Sequence, residues 1–244
     1  MKYAIISDIH GNNIALKEAL KIIEKENVAK IICLGDIVGI GVRSDECVKI
    51  LKSYGDKFIG VIGNHEDRIL HGIPEYIHDG QHKMTEEDIK QELWIRDNLS
   101  DESKDFLNSL LKEQVIELEG IKVSVTHYPS DENMNYCEFN YYPSKENFIE
   151  MFKKYDSRIN LFGHTHIGRV RETSDGKWYI NPGTLGTTDY KDYGTFGILS
   201  IDNGKISYVE KAFYYDLKSY LNDFDVMNPP KKDHMRDKFF GFKR

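Results

Sequence analysis

Five short clusters in this chain carry residue types used in acid–base and metal chemistry: Asp8-Ile9-His10-Gly11-Asn12, Gly35-Asp36, Gly63-Asn64-His65-Glu66, Thr126-His127 and Gly163-His164-Thr165-His166. Taken singly, each has an ordinary explanation. An aspartate beside glycine suits a turn, an asparagine or aspartate caps a helix, and one histidine at a strand end is commonly a hydrogen-bonded structural group. Together, Asp8, His10, Asp36, Asn64, His127, His164 and His166 form a set of oxygen and nitrogen donors suited to a borderline cation, and five of the nine histidines fall in these clusters. Burying so many imidazoles and carboxylates without a cation would leave unpaired polar groups and carboxylate repulsion. A metal pair removes both difficulties. Asp36 can bridge two ions, the other six donors divide three and three, and open positions remain for water.

The elements that must position these clusters are legible in the apolar pattern. Tyr3 to Ser7, Lys30 to Leu34 and Phe58 to Ile62 read as short buried strands, each ending at a polar cluster. Between them, Leu16, Ala19, Leu20 and Ile23 fall on one face of a helix ending near Asn27, and a second helix starts near Asp45 with Ser44 as its cap. Strands joined by crossover helices predict a mostly parallel open sheet, which binds ligands outside the carboxyl ends of its strands. The clusters therefore converge.

Residues 67–111 break this rhythm with a polar stretch and two helices, 86–98 and 101–111, and read as a helical insert or lid. Strands follow at 115–118 and 121–126, joined by a Glu119-Gly120 turn, then a helix at 146–155 and strands at 158–162, 169–173, 177–180, 195–201 and 206–213. From Asp223 onward, Pro229-Pro230 and a mixed-charge end predict a loosely ordered tail on an otherwise single domain.

Composition narrows the function classes. The 244 residues are 40% hydrophobic and 30% charged with a net charge of -7, so general nucleic-acid binding is not expected. Cys33, Cys47 and Cys137 show no Cys-x-x-Cys spacing, against a disulfide framework or thiolate zinc site. No export signal or 18-residue apolar span is evident, and a cytoplasmic location is expected.

In this order the five blocks resemble the calcineurin-like metallophosphoesterase superfamily, with Asp-x-His, Gly-Asp, Gly-Asn-His-Asp/Glu, His and Gly-His-x-His spread over residues 1–213. The stretches Cys33-Leu34-Gly35-Asp36-Ile37-Val38-Gly39 and Asn181-Pro182-Gly183-Thr184 are similar to its small bacterial and archaeal branch. The resemblance implies an α/β fold, a four-layer α/β/β/α sandwich of two mixed sheets flanked by helices. It implies a first metal on Asp8, His10, Asp36 and His166 and a second on Asp36, Asn64, His127 and His164, with manganese or iron favoured and zinc, cobalt or nickel also suited. Asp36 and His65 would be the catalytic residues, a metal-bridging hydroxide the nucleophile, and His65 the proton donor to the leaving oxygen or a clamp on the phosphate. Asn12, Arg43 and His65 are the candidate substrate contacts.

Departures from the family matter equally. Gly35-Asp36-Ile37-Val38-Gly39-Ile40-Gly41 lacks the carboxylate and arginine of the protein phosphatases' Gly-Asp-x-x-Asp-Arg-Gly, which argues against a phosphoprotein substrate. Glu66 or Asp67 could orient His65 instead. His71, His78 and His82 include a helical i, i+4 spacing, but Asp79-Gly80 disfavours a helix and with it an extra metal site. Tyr136, Phe139, Tyr141 and Tyr142 read as packing under a long loop, with base stacking as the alternative. The expected activity is hydrolysis of a phosphomonoester or phosphodiester in a small phosphorylated substrate. The alternatives are a nucleotide-directed hydrolase, acting on a dinucleoside polyphosphate or cyclic nucleotide, and a non-catalytic protein-binding scaffold.

Overall fold

The computed structural model describes residues 1–77, 82–188 and 192–240. Its first part alternates β1 (Lys2–Ile6), α1 (Asn13–Lys25), β2 (Lys30–Cys33), α2 (Ser44–Lys52) and β3 (Phe58–Gly60). The segment that follows holds α3 (Asn64–His71), a small hairpin of β4 (Tyr76–Ile77) and β5 (His82–Lys83), α4 (Glu86–Asp97) and α5 (Asp101–Asn108). The remainder runs β6 (Glu113–Leu118), β7 (Ile121–Thr126), α6 (Lys145–Met151), β8 (Ile159–Leu161), β9 (Arg169–Glu172), β10 (Trp178–Asn181), β11 (Tyr193–Asp202), β12 (Lys205–Tyr214), α7 (Leu217–Met227) and α8 (Lys232–Phe240).

These strands form two mixed five-stranded sheets. The first has the order β12-β11-β1-β2-β3, with β1, β2 and β3 parallel and β11 and β12 antiparallel. The second has the order β6-β7-β8-β10-β9, with β7, β8 and β10 parallel between two antiparallel edges. Side chains alternate across a strand, so β1 serves two cores. Tyr3 and Ile5 pack between the sheets with Val123, Val125, Leu161 and Ile180, whereas Ala4 and Ile6 pack outward against Leu16, Ala19, Val48 and Leu107. On the far face of the second sheet, Phe148 of α6 and the adjacent Phe152 cover Phe162 and Tyr179. Helices, sheet, sheet and helix give the four expected layers.

Two local expectations need correction. Ser44 is the first residue of α2, and Arg43 occupies the cap without a side-chain hydrogen bond. The tail is not loose up to 240: α7 and α8 bury Tyr220, Phe224 and Phe240 against Ile40 and Val42 of the glycine-rich turn. Pro229-Pro230 marks the break between two helices rather than the end of order, because the aromatic residues on either side have a core to join.

A buried-edge aspartate joins the insert to the sheet-covering helices. Asp45 on α2 accepts hydrogen bonds from the Ser100 N–H (2.9 Å), Ser100 hydroxyl (2.7 Å) and Ser103 hydroxyl (2.6 Å) at the start of α5, and pairs with Lys49 at 2.8 Å. Burial opposes the charge, but Lys49, Ser103 and Ser100 hold this carboxyl well below its usual range. Asp45→Ala is expected to lower the unfolding free energy by about 1–3 kcal/mol in chemical denaturation at neutral pH. A depressed folded pKa contributes stability above the unfolded value of about 3.9 and loses it on acidification. The gap between wild type and variant should therefore narrow only below about pH 4; a gap that is constant down to pH 2 would contradict this account.

Candidate metal centre

Each donor cluster follows a strand: Asp8 and His10 follow β1, Asp36 follows β2, Asn64 lies just past β3, His127 follows β7, and His164 and His166 follow β8. Turning these side chains back over the strand ends requires left-handed backbone. Asp8 (φ 54°), His10 (50°), Asp36 (51°), His164 (66°) and His166 (57°) all adopt it. Such a conformation costs on the order of 1–3 kcal/mol per non-glycine residue and persists where neighbours over-determine it. Here they do. The Asp8 N–H donates to Gly35 O (3.1 Å), the His10 N–H to Asp36 O (2.9 Å) and the Gly163 N–H to His127 O (2.8 Å).

The donors meet in two groups that share one carboxylate. In the first, His10 Nε2 lies 3.0 Å from His166 Nε2, and Asp8 Oδ1 lies 3.2 Å from His166 Nε2. In the second, Asn64 Oδ1 lies 3.0 Å from His127 Nε2 and 2.8 Å from His164 Nδ1, with the two ring nitrogens 3.2 Å apart. Asp36 Oδ2 faces both, 3.8 Å from His10 Nε2 and 3.3 Å from His127 Nε2. The outer ring nitrogens are fixed from behind. Nδ1 of His10 donates to Val38 O (3.3 Å) and Nδ1 of His127 to Leu34 O (2.8 Å), so that in the neutral form each ring turns the lone pair of Nε2 inward, as a metal ligand must. Nδ1 of His166 meets the Thr187 hydroxyl at 3.1 Å.

The spacing of these donor atoms fits the coordination of metal ions. Ligand atoms about 2.0–2.1 Å from a tetrahedral ion lie about 3.3 Å from one another, close to the nitrogen–nitrogen and nitrogen–oxygen separations here. Asp8 Oδ1 is buried against the ring nitrogens of His166 and His10, at 3.2 and 3.8 Å, three donor atoms that one cation could share. The charges point the same way. Burial opposes ionisation of Asp36, but His127 and His65 hold its carboxyl well below the usual range. Burial pulls His127 down while Asp36 outweighs it, pushing the imidazolium up to about 9; for His166, Asp8 likewise outweighs burial. Burial instead pushes His10 well down, against Asp36.

Glu66 supports the centre from below rather than orienting His65. Its buried carboxylate accepts N–H groups from Asp36 (2.9 Å), Val38 (2.8 Å) and Gly63 (2.7 Å), binding the second and third blocks together. Burial and the nearby Asp36 push it up to about 7. Only glycine fits at position 63, since a Cβ there would lie 2.2 Å from Asp36 Oδ1. Asp67 points elsewhere, to His71 (2.8 Å) and Lys112 (3.1 Å).

His65 takes its orientation from two residues that sequence reading did not single out. Arg68 Nη2 lies 2.8 Å from His65 Nδ1, and Glu92 Oε1 of α4 lies 3.4 Å from it and 3.1 Å from Arg68. A guanidinium only donates, so Nδ1 accepts and the proton of a neutral ring sits on Nε2. The ring stands edge-on to His10 at 5.0 Å, within a His10, Asp36 and His65 group whose ligand atoms lie within 4.8 Å of one another. Arg68 sits at i+3 from His65 on α3, a spacing that could have revealed it; Glu92 had no such signal.

Two expected substrate contacts are engaged elsewhere. Asn12 is fully buried, capping α1 through Ala15 N–H (3.0 Å) and donating to Gly186 O (2.9 Å). Arg43 forms a two-pronged ion pair with Asp223 of α7, at 2.6 and 3.0 Å, which occupies the fork a phosphate would need. The Asn181 loop supports the centre: Asn181 donates to Gly163 O (2.7 Å) and Thr184 to Asp8 O (2.8 Å). His78, with Asp79-Gly80, and the side chain of His82 lie outside the described residues.

Comparison with known proteins places these features in a lineage. Residues 1–204 match the model of the calcineurin-like phosphoesterase superfamily domain. A Methanocaldococcus jannaschii protein described as uncharacterized is 29% identical over 199 residues, covering 75% of each chain. A symmetrical bis(5'-nucleosyl)-tetraphosphatase of Psychromonas ingrahamii is 35% identical over 85 residues, covering 34% of this chain and 29% of that one. The crystal structure of a metallophosphoesterase from Sphaerobacter thermophilus superposes with a TM-score of 0.71 at 24% identity, over 95% of this chain and 96% of the other. With the match spanning every strand of the two sheets except the edge strand β12, the chain belongs to the calcineurin-like phosphoesterase superfamily.

Proposed function

We propose that this protein is a dinuclear-metal phosphoesterase that hydrolyses a phosphomonoester or phosphodiester. The observation that carries the reading is Asp36 Oδ2 facing both donor groups, at 3.3 and 3.8 Å. Asp8, His10, Asp36 and His166 would hold one ion, and Asp36, Asn64, His127 and His164 the other. When bound, two such ions acidify water toward hydroxide and neutralise charge on the phosphoryl oxygens. Donors of imidazole, carboxylate and amide type suit manganese or iron, with zinc, cobalt and nickel as candidates.

His65 acts on the substrate itself. With Nδ1 accepting from Arg68, its Nε2–H donates a hydrogen bond to a phosphoryl oxygen or to the departing oxygen, and Arg68, itself paired with Glu92, keeps the ring from rotating. A doubly protonated ring, its Nδ1–H facing Glu92, instead passes the Nε2 proton to the departing alkoxide and is left neutral. Gly39 permits this packing, because a Cβ there would lie 2.4 Å from the His65 ring. The activity named for the Psychromonas relative supports a nucleotide as one substrate class. The free thiols Cys33, Cys47 and Cys137 support a reducing, cytoplasmic setting. No helix among the described residues is long and apolar enough to cross a membrane.

Adding manganese to chelator-treated protein, at about a hundredfold over its Kd, should raise Tm by roughly 5–10 °C per ion, and Asp36→Ala should lose most of that rise. Hydrolysis of a chromogenic phosphomonoester and phosphodiester should require added metal. His65→Ala is expected to lower kcat by about 10²–10⁴ with the metal-induced Tm rise retained. A protein that takes up two ions yet turns over no ester would instead match the scaffold reading.

A further inference from the structure

His166 is held from behind by a different kind of group than His10 and His127. Those two rings each turn Nδ1 to a backbone carbonyl, which only accepts, so the ring must donate from that nitrogen. Nδ1 of His166 meets the Thr187 hydroxyl at 3.1 Å, and a hydroxyl both donates and accepts. What fixes the direction of that bond lies further from the ring.

Three buried contacts continue from Thr187. Its hydroxyl lies 3.1 Å from the Thr184 hydroxyl, its N–H donates to the same Thr184 oxygen at 3.1 Å, and the Thr184 hydroxyl donates to Asp8 O at 2.8 Å. Both threonines are 1% exposed and Asp8 is fully buried, so bulk water does not compete for these groups. A carbonyl oxygen has no proton to give, so the single O–H of Thr184 goes to Asp8. The contact between the two hydroxyls is then a hydrogen bond only if Thr187 donates, and the contact with His166 only if Nδ1 donates. The two lone pairs of the Thr184 oxygen are filled by the N–H and the O–H of Thr187. All the bonds form together in one direction alone, from His166 Nδ1–H through Thr187 and Thr184 to Asp8 O.

The chain begins and ends on the first donor group. It starts at the ring of His166 and stops at the backbone of Asp8, whose left-handed φ of 54° needs neighbours to hold it. Between the two threonines, the Leu185 N–H donates to Ser7 O (3.0 Å) and the Gly186 N–H to Asp8 O (3.1 Å), which lays the whole turn along the end of β1.

We infer that Thr184 and Thr187 are positioning residues for the first ion, their hydroxyls forming a one-way relay that keeps a proton on His166 Nδ1 and leaves Nε2 as the nitrogen that binds. The ion itself rests on the dinuclear reading; the direction of the relay rests on the hydrogen bonds. Without the Thr184 hydroxyl, Thr187 is released to donate to Nδ1, which moves the proton of a neutral ring to Nε2, where the ion must bind. Thr184 makes no hydrogen bond to a donor side chain among the described residues, yet it bears on one ion and not on the other.

The test is calorimetric titration of the chelator-treated, full-length protein with manganese. Thr187→Val and Thr184→Val, which keep the branched shape, should each weaken one of the two ions by about 10–100-fold, the usual cost of losing the hydrogen-bond partner behind a ligand, and leave the other ion unchanged. Thr187→Ser, which restores the hydroxyl and guards against a folding artefact, should return the affinity to near that of the wild type. In nitrogen-15 NMR of the metal-free protein, His166 Nδ1 should carry a proton that exchanges slowly in the wild type and rapidly in Thr187→Val. An unprotonated Nδ1 in the wild type would overturn the relay, and so would equal weakening of both ions in the valine variants, which marks a general loss of structure. Two ions bound with wild-type affinity by both valine variants would overturn the relay and leave the dinuclear reading standing. A protonated Nδ1 in protein that binds no manganese would overturn the dinuclear reading, and the positioning role with it, while the direction of the hydrogen bonds stood.

Discussion

Two carboxylates, Asp8 and Asp36, are buried among four imidazoles at the adjoining ends of two sheets, and the surrounding structure answers that concentration of charge. An isolated buried carboxylate is too costly to keep ionised, so each needs charged neighbours at short range. His127 supplies one for Asp36, at 3.3 Å, and His166 one for Asp8, at 3.2 Å. Bringing those neighbours within about 3–4 Å from strands far apart in the chain forces five of the donor residues into left-handed backbone. Aspartate and histidine are among the residues that tolerate it best. The donor types and the conformations that aim them are thus matched.

Such strain holds only in a rigid setting, and the layers supply one. Between the sheets, Ile5, Val123, Leu161 and Ile180 fix the spacing of the strand ends. Glu66 ties the Asp36 loop to Gly63 through three backbone N–H groups. On the outside, α7 and α8 press Tyr220 and Phe240 onto the loop around Ile40, and the Tyr220 hydroxyl donates to Gly11 O at 3.2 Å. A C-terminal segment that never reaches the donor groups therefore helps to set their backbone.

The helical insert has a comparable role for His65. In the protein phosphatases of the superfamily an aspartate within the second block orients the corresponding histidine; here that block holds no second carboxylate. Glu92 on α4 lies 3.4 Å from the His65 ring instead, with Arg68 between them. The insert also borders, through Arg68 and Tyr76, the cavity of about 340 Å³ beside Asn64 and His164, so one segment bears on both the orientation of His65 and the shape of the space beside the second donor group.

Much of this was readable from the sequence alone, for a local reason. Each donor cluster directly follows an apolar strand, and strand direction carries it to the sheet rim, so the convergence of the seven donors rests on that adjacency. The strand pattern by itself predicts one mostly parallel open sheet, and the two mixed sheets that form instead were legible only through the resemblance of the blocks to the family. Tertiary structure decided what each remaining polar side chain faces. Arg43 lies beside the donor loops in sequence yet pairs with Asp223, 180 residues away. Asn12 sits in the first block yet caps a helix, and Glu92 comes from an element whose own pattern gives no sign of the site. Long polar side chains find partners through the packing of whole helices, and their reach of several ångströms across element boundaries leaves no periodic trace in the chain.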